Sequence, residues 1–156
     1  MKARYCGRIA LAAAAALMAQ AALAAGPLSA YGGSWRGGGQ LNANGRSEPL
    51  SCRSDNTPAE GGTAISLSLT CASDTFRVEI HSDLTADGRN VQGSWTEATQ
   101  NVSGNVSGVI FRRQIEASVT GSGVDANVII RVAGRRLDFS LASQQGNVQV
   151  VLRRER

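Results

Sequence analysis

Tyr31-Gly32-Gly33-Ser34-Trp35-Arg36-Gly37-Gly38-Gly39 opens the folded part of the chain, and its core, Gly-Ser-Trp, returns at Gly93-Ser94-Trp95. Around these two tryptophans the apolar residues fall at every second position. Val, Ile and Leu alternate with Ser, Thr, Asn and Arg, and no long stretch past residue 25 shows a helical period. Period two sends successive side chains to opposite faces of a strand. The chain therefore reads as short strands, each with one apolar and one polar face.

Working outward from Trp35, a first strand covers about 34–41, with Trp35 and Leu41 on one face, and Asn42-Ala43-Asn44-Gly45 turns it back. A second strand covers about 46–56, with Gly61-Gly62 as the next turn. The third alternates through Ile65, Leu67, Leu69 and Cys71, and the fourth through Phe76, Val78, Ile80 and Leu84. Asp87-Gly88 is a hairpin signal, after which Val91, Gly93 and Trp95 share a face. Beyond a polar link at 98–103, five more strands alternate over 104–110, 115–119, 124–132, 137–141 and 148–152, turning at Arg112-Arg113, Gly121-Ser122-Gly123, Gly134-Arg135 and Gln144-Gln145-Gly146.

This pattern predicts an all-β protein, an antiparallel up-and-down meander of about ten strands. Tight turns make antiparallel neighbours. A sheet with one apolar face buries that face, and loses its edges, by closing into a soluble barrel. A two-sheet sandwich is the alternative. An outer-membrane barrel, its apolar face turned to lipid, is disfavoured. It needs strands of ~9–11 residues and aromatic girdles. The strands here read shorter, aromatics are few, and the chain ends Arg153-Arg154-Glu155-Arg156. The Gly-Ser-Trp copies lie 60 residues apart, and Leu67, Leu69, Phe76 and Val78 have apolar counterparts 61 residues on at Val128, Ile130, Leu137 and Phe139. These spacings leave an internal duplication open.

Residues 1–25 read as a cleaved signal peptide. Lys2, Arg4 and Arg8 precede an apolar run from Ile9 to Leu23, and small residues follow at Ala22-Leu23-Ala24. The run is short of the ~20 residues a membrane-spanning helix needs. Residues 26–156 then form a single domain that is periplasmic or secreted. The whole chain carries a net charge of +4. Three of those charges leave with the signal, so the mature chain is near +1 and shows no global basicity that would point to nucleic acid. A monomer with no transmembrane segment is expected.

Two cysteines remain, Cys52 and Cys71. An even count in an exported chain reads as one disulfide, with two free thiols as the alternative. The hairpin register supports the bond. If Gly61-Gly62 is a two-residue loop, Glu60 pairs with Thr63, paired numbers sum to 123, and 52 and 71 sum to 123. The two cysteines would face each other at bonding distance.

Gly33-Ser34-Trp35 at the start of a first strand resembles the Gly-x-Trp signature of lipocalins and their calycin relatives. The resemblance implies a barrel whose tryptophan closes one end, with an arginine of the last strand lying across it. Arg154, which shares the parity of Leu152, is the candidate. Trp35-Arg36-Gly37-Gly38-Gly39 also looks like the opening of the haem-binding nitrobindins. That family takes haem on a late histidine. The only histidine here, His81, lies mid-chain, so no cofactor is expected. The chain is also similar to small exported proteins of Gram-negative bacteria.

Trp35 and Trp95 are expected in the barrel interior, as an aromatic wall for a small apolar ligand or as a plug that fills it. Glu79, His81 and Asp83 share the solvent face of the fourth strand and lack a nucleophile or a covering pocket, so no catalytic or metal site is assigned. In a ten-strand meander alternate turns meet at one end. Arg89, Arg112, Arg113, Arg135, Arg136, Arg153, Arg154 and Arg156 would form a basic rim there, while the other end would carry Asn42, Asn44, Gln100, Asn101, Gln144 and Gln145. The expected function is a non-enzymatic binding module of the cell envelope. It would take a small apolar molecule in the barrel or an anionic envelope component at the rim. The alternative is an interaction protein resembling lipocalin-like protease inhibitors, with a filled barrel.

Overall fold

A computed structural model describes residues 23–156, and the signal peptide reading falls almost wholly outside them. Ten strands follow a 3₁₀ turn at Ser29–Tyr31: β1 (Gly33–Ala43), β2 (Arg46–Ala59), β3 (Ala64–Ala72), β4 (Arg77–Asp87), β5 (Asn90–Glu97), β6 (Val102–Phe111), β7 (Gln114–Gly121), β8 (Val124–Ala133), β9 (Arg136–Ser143) and β10 (Gly146–Arg154). Each pairs antiparallel with the next, and β10 returns to β1, with Trp35 opposite Arg154 and Ala43 opposite Gly146. The sheet is a closed barrel, not a sandwich, and among the described strands none is left as a free edge.

The alternation drives the closure. Trp35, Cys52, Ile65, Leu84, Val91, Trp95, Ile115, Leu137 and Leu152 point inward and are buried, while their sequence neighbours face out. Burying apolar area at about 25 cal/mol per Å² is the main favourable term for such a fold. Closing a barrel also requires the strands to bend. The glycines after Trp35 permit this in β1. A Cβ on Gly37 would lie 2.0 Å from the carbonyl oxygen of Val151, and one on Gly39 would lie 1.8 Å from that of Gln149. Only glycine lets β1 approach β10 this closely.

At the start of β1 the segment before it folds back as a strap. Gly26 and Leu28 donate backbone hydrogen bonds to Gly61 and Gly62 at the β2–β3 tip. Leu28 and Tyr31 are driven under this end beside Trp35.

Three expectations change. The strands are longer than the alternation suggested, eight to fourteen residues, so strand length does not separate this barrel from a membrane one. The polarity of its wall does. The apolar side chains face in, and the outer face is mostly Ser, Thr, Asn, Gln, Arg and acids; its large exposed hydrophobics are Val109, Phe111 and Ile129. No helix among the described residues is long and apolar enough to cross a membrane. The β2–β3 tip is a 3₁₀ turn at Glu60–Gly62 between paired Ala59 and Ala64. Its register is the one a two-residue Gly-Gly loop would set, because 59 and 64 also sum to 123. Finally, the two Gly-Ser-Trp copies lie on β1 and β5, whereas the 61-residue spacing carries β3 to β8. The two shifts move the chain by different numbers of strands, so they do not describe one duplication.

Candidate functional site

The two tryptophans take different positions. Trp35 is fully buried at the closed end, where its indole Nε1 donates to the Tyr31 carbonyl at 3.0 Å. Arg154 lies across its ring at 4.5 Å and donates from Nη2 to the Ala30 carbonyl at 2.8 Å. The strap, Trp35 and Arg154 together seal that end. Trp95, four strands away, lines the interior, and its Nε1 donates to the Thr120 carbonyl at 3.1 Å. Gly104 leaves it room, since a Cβ there would come within 2.7 Å of the indole nitrogen.

The interior is not filled. A cavity of about 320 Å³ runs above Tyr31, walled by Leu67, Leu69, Ile80, Trp95, Val106, Val119, Val128, Ile130 and Phe139. Its two ends differ. Inward side chains near Trp35, such as Ile65, Leu84, Ile115 and Leu137, are all under 5% exposed. At the opposite end the inward-facing Leu69, Val102, Val119, Val124 and Leu141 are half-buried. Solvent reaches the wall from that side, which is the mouth.

Polar groups of the lining are mostly committed to the protein. Ser54 Oγ donates to Asn56 Oδ1 at 2.6 Å, and Asn56 Nδ2 donates to the Tyr31 carbonyl at 2.9 Å. The Tyr31 hydroxyl is buried without a partner, and burial raises its pKa. Glu97 stands at the mouth, 7% exposed. Burial works to raise its pKa, but hydrogen bonds from the Thr99 hydroxyl and from the backbone N–H groups of Glu79, Gln100 and Thr99 outweigh it and hold the carboxyl down at about 2. Glu97 thereby ties the β5–β6 loop to β4. None of Tyr31, Ser54, Asn56 and Glu97 was singled out from the sequence as a lining residue. Ser54 and Asn56 share the parity of Cys52, and Glu97 that of Trp95, which is the signal that places them.

Cys52 and Cys71 stand directly opposite each other across β2 and β3 and are bonded, Cα to Cα 4.2 Å. Both are buried in the barrel wall.

Arg89, Arg112, Arg113 and Arg135 occupy the β4–β5, β6–β7 and β8–β9 turns at the closed end. The turns lie side by side. The carbonyl of Arg89 accepts from Ile110 N–H, that of Arg113 from Val132, and that of Arg135 from Arg154. Arg156 follows β10 at the same end. Two of the expected rim arginines do not offer free charge there. Arg154 is drawn over Trp35 beneath the strap, where its flat guanidinium stacks on the ring and donates to the Ala30 carbonyl while its Nε is buried without a partner. Arg136 is paired with Asp138 at 2.6 Å. Arg153 lies on the outer wall between Arg36 and Arg136. On β4, Arg77 pairs with Glu79 and Asp83 accepts from Ser66. No cluster of three or more metal-ligating side chains occurs among the described residues.

No family model matches the chain, and no curated protein matches it. Solved structures do. A Mycobacterium tuberculosis protein, Rv2717c, superposes with a TM-score of 0.66 at 16% identity, over 83% of this chain and 95% of its own. The S-type phycobiliprotein lyase CPES from Guillardia theta superposes with a TM-score of 0.52 at 15% identity, over 83% and 90%. At these identities the likeness is one of fold alone, that of the closed antiparallel barrel.

Proposed function

We propose that this protein is a non-enzymatic binding protein of the cell envelope that holds one small apolar molecule inside its barrel. The observation that carries this reading is the cavity of about 320 Å³ between a sealed floor and an open mouth. Its size falls at the lower end of the ~300–1,000 Å³ range of small-molecule sites. Its wall is overwhelmingly aliphatic with one indole, so water inside has few partners and an apolar guest displaces it at little cost. Ser54, Asn56 and Glu97 spend their hydrogen-bonding capacity on the protein, which favours carriage over chemistry. Export is supported by the disulfide, which persists in oxidising compartments, and by the apolar run before residue 24. The reading as an inhibitor with a filled barrel finds less support, because the barrel has room.

The test is titration of the mature protein with an environment-sensitive apolar dye. Enhanced, saturable emission is expected, with competition by non-fluorescent apolar compounds. Val119→Trp, which fills the cavity from its mouth half, is expected to weaken dye binding at least tenfold while leaving the fold intact by circular dichroism. A folded Val119→Trp variant that binds dye as well as the parent would overturn the reading.

A further inference from the structure

The closed end carries a surface that the ligand cavity does not use. Phe111, the last residue of β6, is 52% exposed. Two guanidiniums flank its ring, Arg89 at 4.7 Å and Arg112 at 5.0 Å from the centroid. The adjoining turn is Arg112-Arg113, with φ of 48° and 65°. Both values lie in the left-handed region, where glycine or asparagine is the ordinary occupant of a two-residue hairpin. Two bulky cations thus stand where the backbone would be relaxed by Asn-Gly, the pair that the β1–β2 turn uses at Asn44-Gly45. A strained position occupied by an unhelpful residue points to a role other than stability.

The surroundings match. Among the described residues, Arg89, Arg112, Arg113, Arg135 and Arg156 form no ion pair. The carbonyl bonds between adjacent turns hold the first four in a continuous arc. The acids near this end include Glu60, Asp87, Glu155, Asp55 and Asp138; Glu155 is taken by Arg36 at 2.8 Å, Asp138 by Arg136 at 2.6 Å, and Asp55 accepts from Ser34 Oγ at 2.6 Å. A shallow hollow lies between the arc and the strap, lined by Pro27, Ala30, Arg89, Phe111, Arg112 and Arg113. On the outer wall Val109 and Ile129 are each 43% exposed, with Glu116 between them in register. Two of the barrel's three large exposed hydrophobics thus lie on the wall, and the third and most exposed, Phe111, stands at the tip between the arginines.

We infer that this rim docks the protein onto an anionic membrane surface, the arginines engaging lipid phosphates and the Phe111 ring entering the headgroup region. Arginine pairs bidentately with phosphate oxygens. An arc of cations is attracted to a negative leaflet over about a Debye length. A single aromatic ring framed by cations adds apolar contact without a patch large enough to aggregate. Once phosphates draw Arg89 and Arg112 off the ring, its faces are free to meet acyl chain.

The experiment is flotation of the mature protein with vesicles of phosphatidylglycerol and phosphatidylcholine, against phosphatidylcholine alone, at low and high salt. The parent is expected to float with anionic vesicles only, and to be released as salt rises. Arg112→Asn/Arg113→Gly removes two charges and relaxes the turn, so a loss of binding in it cannot be ascribed to misfolding. A fall of at least tenfold is expected. Phe111→Ser is expected to weaken vesicle binding but not retention on heparin, which has no acyl region. Retention on heparin without vesicle binding, or equal flotation of parent and either variant, would overturn the proposal.

Discussion

Glu97 shows how a single side chain can be both buried and charged. Its carboxylate receives a hydroxyl and three backbone N–H groups, and hydrogen bonds to an ion are roughly twice as strong as neutral ones. The folded protein therefore binds the Glu97 proton less readily than the unfolded chain does, about 2 against the ordinary 4.5. By linkage, a depressed folded pKa stabilises the fold fully above the unfolded value and ceases to do so as pH falls through the folded one. Thermal unfolding followed from pH 7 to pH 2 is expected to show a midpoint that drops between about 4.5 and about 2. Glu97→Gln, which cannot ionise, is expected to unfold at lower temperature at pH 7 and to lose less on acidification. An identical pH dependence in parent and variant would show that the carboxylate is not coupled to folding. Little of this was legible in the sequence. Parity puts Glu97 on the face of Trp95, yet the donors that make a buried carboxylate tolerable come from β4 and from a loop conformation. Arg154 was legible because its partner, Trp35, is named by a motif and its own face follows from Leu152. Tyr31 was not, because it precedes β1 and no period reaches it.

Among the elements, the β2–β3 hairpin is the clearest case of register read before structure. The sum rule holds along its length from Ser51–Ala72 to Ala59–Ala64, since pairing in an antiparallel ladder is rigid once one pair is set. The strand ends were less legible. Pro58 cannot donate to a ladder, which predicts an irregular tip, and the tip is indeed the 3₁₀ turn Glu60–Gly62; β1 pairs with β2 only as far as Asn56. The missing donor of Pro58 therefore falls beyond the end of β1, where a proline is tolerated. The turn types were also hidden. A left-handed residue costs about 1–2 kcal/mol when it is not glycine, so nothing in the composition of Arg112-Arg113 announces its conformation. The cross-link itself closes a loop of separation 19. In the chain-entropy account such a loop is worth about 3 kcal/mol. The double replacement Cys52→Ala/Cys71→Ala is expected to lower the unfolding free energy in urea by that amount, with an unchanged β-sheet spectrum. A loss of under about 1 kcal/mol would mean that the unfolded chain is already held compact there.

At the scale of the whole molecule, the even strand count separates two surfaces. With ten strands, the start of β1 and the end of β10 meet at one end, together with the β2–β3, β4–β5, β6–β7 and β8–β9 turns. That end is sealed by Leu28, Tyr31, Trp35 and Arg154 and carries the arginine arc. The cavity opens at the other, among Leu69, Val102, Val124 and Leu141. Between them stands a floor of fully buried side chains, and closed ladders leave no hinge among the described strands. A protein docked by its rim would present its mouth away from the membrane. It would exchange an apolar guest with a partner in solution rather than with the bilayer beneath it. Energetic coupling between sites requires an element with two arrangements that both ligands bias. Here the floor is packed in one. The two activities are therefore expected to be independent. Arg112→Asn/Arg113→Gly should bind the apolar dye within about twofold of the parent, and Val119→Trp should float with anionic vesicles within about twofold, since coupling is reciprocal. If the rim variant changed dye affinity and the cavity variant changed vesicle affinity by the same larger factor, the strap from Gly26 to Tyr31 would be the element to suspect. It touches the rim through its hollow and the cavity through Tyr31.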